Sequence, residues 1–389
     1  MLSMALVVLA PALAIHVFPI EITCNKPFVH VSVDGSSPQW FILDSGNSGN
    51  SIIARECADR LQLQHGAERK QEVGAGSGAD VRVTTGRHPV LLRAMGETLS
   101  VAEPLLMTLA HVSRNEGRRV DGLLGSDFLA RHVVTIDYAR NTITLHDGKA
   151  FEPPQGAAVV PLELSAGWPI VRGSITTPGG KVIPCRLIID TGVRFTVALF
   201  RPFSERYALR ESAAGLDDVI VGVGAGGYSR GDVGRLDQLT LGPVSFAKPV
   251  AVFSRDTSGV FGQDGPEGIV GGELLRRHRV TFDYPHARMI LEPYSAQPAP
   301  FEHDMSGIFL GALGPDYIKL QIVAVNSKTP ATEAGLRIGD EIVSIDGKRA
   351  PALTLDLARE LLRVPGTRRL EIRRGEQVMK LQLAIRRLV

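Results

Sequence analysis

The sequence predicts a mainly β protein built from two homologous β-barrel-like lobes followed by a smaller α+β domain. Three observations carry this expectation. Motifs in the first two-thirds of the chain recur at a constant offset, short strand-like runs with frequent turns dominate that part, and a different pattern begins near Phe301.

The repeat is the strongest of these. Phe41-Ile42-Leu43-Asp44-Ser45-Gly46 matches Leu187-Ile188-Ile189-Asp190-Thr191-Gly192. Asp121-Gly122-Leu123-Leu124-Gly125 matches Glu267-Gly268-Ile269-Val270-Gly271, and His132-Val133-Val134-Thr135-Ile136-Asp137-Tyr138 matches His278-Arg279-Val280-Thr281-Phe282-Asp283-Tyr284. All three pairs stand 146 residues apart, so the region is a duplicated unit. Between the motifs lie the glycine-rich stretches Val73-Gly74-Ala75-Gly76-Ser77-Gly78 and Val223-Gly224-Ala225-Gly226-Gly227-Tyr228. Their position within each repeat favours a hairpin lid over a plain surface hairpin.

Local patterning gives the elements. Phe28 to Val33 alternates apolar and polar, Asp34-Gly35 turns, and Trp40 to Leu43 runs apolar, which predicts two strands. Ile175 to Ile189 repeats the plan around Pro178-Gly179-Gly180, whereas Ser51 to Leu61 reads as a helix with Ile52, Ile53, Cys57 and Leu61 on one face. Boundaries follow at 15–155 for lobe 1, 156–300 for lobe 2, and 301–389 for the last domain, after a proline-rich stretch.

Composition narrows the class. Of 389 residues, 44% are hydrophobic and 22% charged, enough apolar material for cores. A net charge of +2 gives no nucleic-acid surface. The arginines near the C-terminus are interrupted by Glu371 and Glu376, as on solvated strands. Cys24, Cys57 and Cys185 form neither a disulfide framework nor a zinc pattern and read as buried thiols. Residues 1–14 contain the apolar run Met4 to Ala14, a candidate signal peptide that is too short to span a bilayer. Export to the periplasm or outside the cell is expected from this run; its lack of a basic leading segment speaks for the alternative, a buried first strand and a cytoplasmic protein.

An apolar run ending in Asp-Ser/Thr-Gly puts a carboxylate at the end of a buried strand and turns the chain sharply after it. One copy is usually just a turn. Two copies in a duplicated unit would meet at a pseudo-twofold axis. Paired carboxylates cannot both ionise comfortably, so they share one proton, activate a water and protonate a leaving nitrogen. Such a dyad requires neither metal nor cofactor.

These motifs resemble the aspartic peptidases of the retropepsin and pepsin families over roughly Ile15 to Pro300. The resemblance implies Asp44 and Asp190 as the catalytic pair, Ser45 and Thr191 as cross-bracing hydroxyls, and Gly46 and Gly192 as turn glycines. It places Gly125 and Gly271 behind the two active-site loops. It makes the flaps over substrate the hairpins around Gly74, Gly76 and Gly78 and around Gly224, Gly226 and Tyr228. Copy two departs from the pattern: Val193-Arg194 stands where copy one has Asn47-Ser48, and a nearby arginine could spoil the shared proton. Gly46-Asn47-Ser48-Gly49 also resembles the nucleophile loop of HtrA-type serine proteases, but too little chain precedes Ser48 to supply His and Asp.

Thr329-Pro330-Ala331 through Ala334-Gly335-Leu336, Gly339-Asp340-Glu341-Ile342 and Ile345-Asp346-Gly347 resemble bacterial-type PDZ domains. Helices are expected at Ala331 to Ala334 and Thr354 to Leu362. The resemblance implies peptide binding by strand addition, with Ser306, Gly307, Ile308 and Phe309 as the binding loop, although this loop departs from Gly-Leu-Gly-Phe. The expected function is an aspartic endopeptidase acting on polypeptides, its PDZ domain binding substrate or partner peptide. The alternative is a non-catalytic peptide-binding scaffold with the same fold.

Overall fold

The computed structural model describes residues 16–71, 81–148, 151–213, 215–262 and 264–389. These form four sheets, one for each lobe, one beneath both lobes and one for the C-terminal domain.

The two lobe sheets are built alike. In lobe 1, the strand Gln39–Leu43 pairs antiparallel with Lys26–Val33 and parallel with Gly122–Leu124. In lobe 2, Val182–Ile189 pairs antiparallel with Trp168–Thr176 and parallel with Gly268–Val270. Leu43 stands opposite Leu124 and Ile189 opposite Val270, the same register in both copies. Phe41, Ile42 and Leu43 read as a continuous apolar run because both faces of their strand are covered. Full burial of each such side chain contributes about 1.5–3 kcal/mol.

The sheet beneath the lobes carries the pseudo-twofold axis. Val133–Asp137 pairs antiparallel with His278–Asp283 and Thr135 faces Thr281, their hydroxyls 2.6 Å apart. These threonines are 146 residues apart, the offset of the repeat. The lobes share one apolar core, and the C-terminal domain has its own.

The helix expected over Ser51 to Leu61 is shorter than predicted. Ile52–Ala54 is a strand lying between Gly122–Leu124 and Leu105–Met107, and the helix covers only Arg55–Arg60. Two β-branched residues in a central sheet position override the helical spacing.

The C-terminal domain is a sheet in the order Ile308–Leu313, Lys319–Val325, Glu341–Ile345, Gly366–Arg374 and Gln377–Ile385. Its helices are Pro330–Glu333, opened by a Thr329/Thr332 capping box, and Leu355–Leu361, whose Leu357 N–H donates to the Thr354 hydroxyl. Its arginines pair locally, Arg374 with Asp340 at 2.7 Å and Arg386 with Glu333 at 2.6 Å. The three cysteines are free and buried. Among the described residues, no helix is long and apolar enough to cross a membrane.

Candidate active site

Each lobe ends its central strand at an aspartate. The Asp44 N–H donates to the Leu124 carbonyl and the Asp190 N–H to the Val270 carbonyl, both at 2.9 Å, so equivalent strands pin equivalent positions. The two loops are then tied together. Ser45 N–H donates to Thr191 Oγ1 and Thr191 N–H to Ser45 Oγ, both at 3.0 Å. The hydroxyls donate onward, Ser45 to the Ile189 carbonyl at 2.7 Å and Thr191 to the Leu43 carbonyl at 2.6 Å. Both glycines are needed for close approach. A methyl group on Gly46 would lie 2.1 Å from Asp190 Oδ2, and one on Gly192 would lie 2.4 Å from Asp44 Cγ. Gly125 and Gly271 pack behind the loops, where a methyl would meet Asn47 Nδ2 and the Phe195 carbonyl, each at 2.5 Å.

The two carboxyls are within hydrogen-bonding reach and are not equivalent. Asp44 Oδ1 accepts from the N–H groups of both Gly46 and Asn47 at 3.0 Å. Asp190 Oδ1 accepts only from Gly192 among the described residues, at 2.7 Å. Burial pushes both carboxyls up, and the neighbouring charge of Asp44 pushes Asp190 further, well above the usual carboxylate range. The pair is thus set to share one proton, with Asp190 the harder of the two to ionise.

The cation that reaches this pair is Lys26, not Arg194. Burial is the largest influence on either aspartate, and the charge of Lys26 opposes it at both. Lys26 is 4% exposed and its Nζ lies 2.8 Å from Glu116 Oε1, which also accepts from Asn115 Nδ2 at 2.9 Å. Trp168 is the other residue the sequence did not flag: its Nε1–H donates to the Gly46 carbonyl at 2.9 Å, bracing the lobe 1 loop from lobe 2. Neither falls in a repeated motif, so nothing in the sequence marked them.

Asp44, Asp190, Lys26, Trp168 and Arg194 line one cleft of about 510 Å³. Its roof includes the lobe 2 hairpin of Leu216–Gly224 and Gly227–Arg235, which turns at Ala225-Gly226. Gly224 lines the cleft, and its carbonyl meets His111 Nε2 of lobe 1 at 2.8 Å. Tyr228 points elsewhere, its ring standing edge-on to Phe309 at 6.4 Å. Gly74, Gly76 and Gly78 lie outside the described residues.

The C-terminal domain docks its expected peptide groove against the lobes. The helix Ala110–Glu116 packs on the edge strand Ile308–Leu313. Arg359 of the helix Leu355–Leu361 spans the interface, donating to the Asn115 carbonyl at 2.7 Å, Asn115 Oδ1 at 3.0 Å and the Leu310 carbonyl at 3.0 Å. Arg363 pairs with Glu273 of lobe 2 at 3.0 Å. In the expected binding loop, the N–H groups of Ser306 and Gly307 donate to Asp304 Oδ2 at 3.1 and 2.6 Å, and that of Ile308 to the Ser306 hydroxyl at 3.2 Å. The N–H groups of Ser306, Gly307 and Ile308 are thus satisfied within the loop. Ile308 and Phe309 line a second cavity of about 90 Å³, which shares Arg194, Phe195 and Val221 with the cleft.

Two family models match the chain. A family model described as aspartyl protease matches residues 29–128 and 172–274, one segment in each lobe. A PDZ domain model matches residues 321–374. Among solved structures, the chain is similar to basic 7S globulin from soybean at 12% identity and a TM-score of 0.41, over 72% of this chain and 95% of that one. It is also similar to the HtrA3 PDZ domain bound to a phage-derived ligand, FGRWV, at 20% identity and a TM-score of 0.19, over 21% of this chain and 83% of that one.

Proposed function

This chain belongs to the aspartyl protease family and carries a C-terminal PDZ domain, and from that premise we propose that it is an endopeptidase whose Asp44 and Asp190 hydrolyse peptide bonds in polypeptides. The observation that carries the reading is the cross-braced pair: two unequal carboxyls on the pseudo-twofold axis, facing a cleft large enough for several residues of substrate.

The asymmetry of the pair assigns the steps. Asp44, held ionised by two backbone N–H groups and by the charge of Lys26, takes a proton from a bound water. The water oxygen bonds to the scissile carbonyl carbon while Asp190 gives its proton to the carbonyl oxygen. Collapse of the resulting diol breaks the C–N bond. Asp44 passes its proton to the departing nitrogen, and Asp190 recovers one from the diol hydroxyl. Both carboxyls end as they began.

The PDZ domain supplies a wall rather than a distant tether in this proposal. Its strand Ile308–Leu313 borders the cavity that shares Arg194, Phe195 and Val221 with the cleft, so a polypeptide reaching past these residues would touch it there. The deciding experiment is digestion of a denatured protein mixture from pH 3 to 8 by the wild type and by Asp44→Asn. Cleavage that disappears in the variant and is blocked by a statine-type transition-state mimic supports the dyad. A well-folded wild type that cleaves nothing across that range overturns it.

A further inference from the structure

Arg194 occupies the position that Ser48 holds in the first copy, and the two backbones are supported alike. The Ser48 carbonyl packs under Gly167 of lobe 2, where a methyl would approach it to 2.1 Å. The Arg194 carbonyl accepts from Asn25 Nδ2 of lobe 1 at 2.8 Å. The loop therefore needs no arginine at this position to hold its shape. Yet a partly buried guanidinium stands there, and among the described residues its side chain makes no hydrogen bond or ion pair. Burial and the charge of Arg359 lower its pKa to about 10, so it is a cation at neutral pH. Open to the pocket and unpaired, its donors are free to meet an acceptor that a ligand brings.

Its surroundings do not supply one. Glu273 is held by Arg276, Arg277 and Arg363, Glu302 by Arg235 and Arg387, and Glu360 by Arg363. Asp304 is spent on the backbone of its own loop, and Glu116 holds Lys26 and Asn115 through Oε1, while its buried Oε2 makes no bond to Arg194. Asp356 is the remaining carboxylate of the smaller cavity. It sits in the first turn of the helix Leu355–Leu361, with no ion pair to Arg194.

Arg194 also marks a junction. It lines the cleft that holds Asp44 and Asp190, and it lines the small cavity walled by Ile308, Phe309 and the PDZ helix. At about 90 Å³, that cavity has room for a chain end but not for a polypeptide running through it. In the PDZ loop that would ordinarily receive a terminal carboxylate, the N–H groups of Ser306, Gly307 and Ile308 are taken by Asp304 and the Ser306 hydroxyl.

We propose that Arg194 binds the C-terminal carboxylate of the substrate polypeptide, so that the chain ends against the PDZ wall and is cut a few residues upstream. Asp190 and Arg194 are four residues apart, which limits their Cα separation to roughly 14 Å, the length of about four extended residues. Cleavage should therefore fall within about four residues of a free C-terminus. This rests on the peptidase reading for its cleavage arm, but not for its binding arm.

The test uses the full chain and an N-terminally labelled random dodecapeptide pool made as the free acid, as the carboxamide, and as the carboxamide with Glu fixed at the last position. Wild type should cleave the acid pool near its C-terminus, with a kcat/KM roughly 10-fold or more above the carboxamide pool. Arg194→Gln should bring that ratio close to one, and Arg194→Lys should restore part of it. Equal cleavage of acid and carboxamide by the wild type, or a preference that survives in Arg194→Gln, overturns the proposal. A Glu carboxamide pool cleaved as well as the acid also overturns it, since the site would then take a side-chain carboxylate. Binding of the same pools to Asp44→Asn, and to Asp44→Asn combined with Arg194→Gln, reads the site without turnover. A preference for the acid that Arg194→Gln abolishes would uphold the carboxylate site even if the wild type cleaved nothing.

Discussion

Ser45 and Thr191 hold each other's backbone: each N–H donates to the other's hydroxyl at 3.0 Å, and each hydroxyl donates to a carbonyl of the opposite strand. Both residues are fully buried. The alignment of the aspartates beside them is thus a property of the interface between the lobes rather than of either lobe alone.

Thr191→Val keeps the shape but removes the acceptor for the Ser45 N–H and the donor for the Leu43 carbonyl. An orphaned buried N–H together with a lost hydroxyl bond should cost about 3 kcal/mol. Thr191→Ser, which keeps both bonds, should cost about 1 kcal/mol, the loss of a buried methyl. Urea unfolding midpoints compared at constant slope give the measurement.

The brace was legible in the sequence because its members sit inside the repeated motif, where one copy could be checked against the other. The folded lobes carry the repeat into their strand pairing, where Leu43 with Leu124 and Ile189 with Val270 share one register. What lay outside the repeat was silent. Lys26 meets Glu116 across 90 residues, and Arg359 meets Asn115 across 244, with no periodic signal at either end. The helix expected from Ser51 gives way to a strand for a different reason, since the residues that make a helical face also suit a covered strand. Arg194 departs from the repeat in sequence, but its placement depends on a domain packed against it from beyond the repeat.

Lys26 tunes the pair electrostatically, and its removal has a defined sign. Its charge favours the ionised form of both aspartates, so Lys26→Met should move both limbs of the pH–rate profile to higher pH. The substitution also strands Glu116, whose side chain is fully buried, at a cost of about 3–5 kcal/mol. Lys26→Met with Glu116→Leu should recover much of that stability while leaving the pH shift in place. An unshifted profile in both variants would remove Lys26 from the electrostatics of the pair.

Arg359 latches the PDZ edge strand to lobe 1. Arg359→Ala removes the bonds to Asn115 and to the Leu310 carbonyl, at about 2 kcal/mol of docking stability. Amide exchange across Ile308–Leu313 should quicken in the variant, while the lobe strand Gln39–Leu43 keeps its protection. Uniform acceleration across all sheets would mean that Arg359 supports the whole fold rather than one interface.

Asp304 fills the PDZ loop at a cost that depends on pH. Burial pushes its carboxyl up to about 6, with the Ser306 and Gly307 donors and the charge of Arg194 opposing. A carboxyl raised in the folded state contributes most below its unfolded value of about 4, and that contribution fades as pH rises through the folded value. Asp304→Asn keeps the shape: its carbonyl can accept from the N–H groups of Ser306 and Gly307, and its amide can donate to the Ser306 hydroxyl. The variant should therefore match the wild type below about pH 4, gain on it between pH 4 and 6, and hold a level advantage above 6. Thermal unfolding at pH 4, 6 and 8 measures the difference, and a gap that stays constant across the three would show that Asp304 is not ionising against its surroundings.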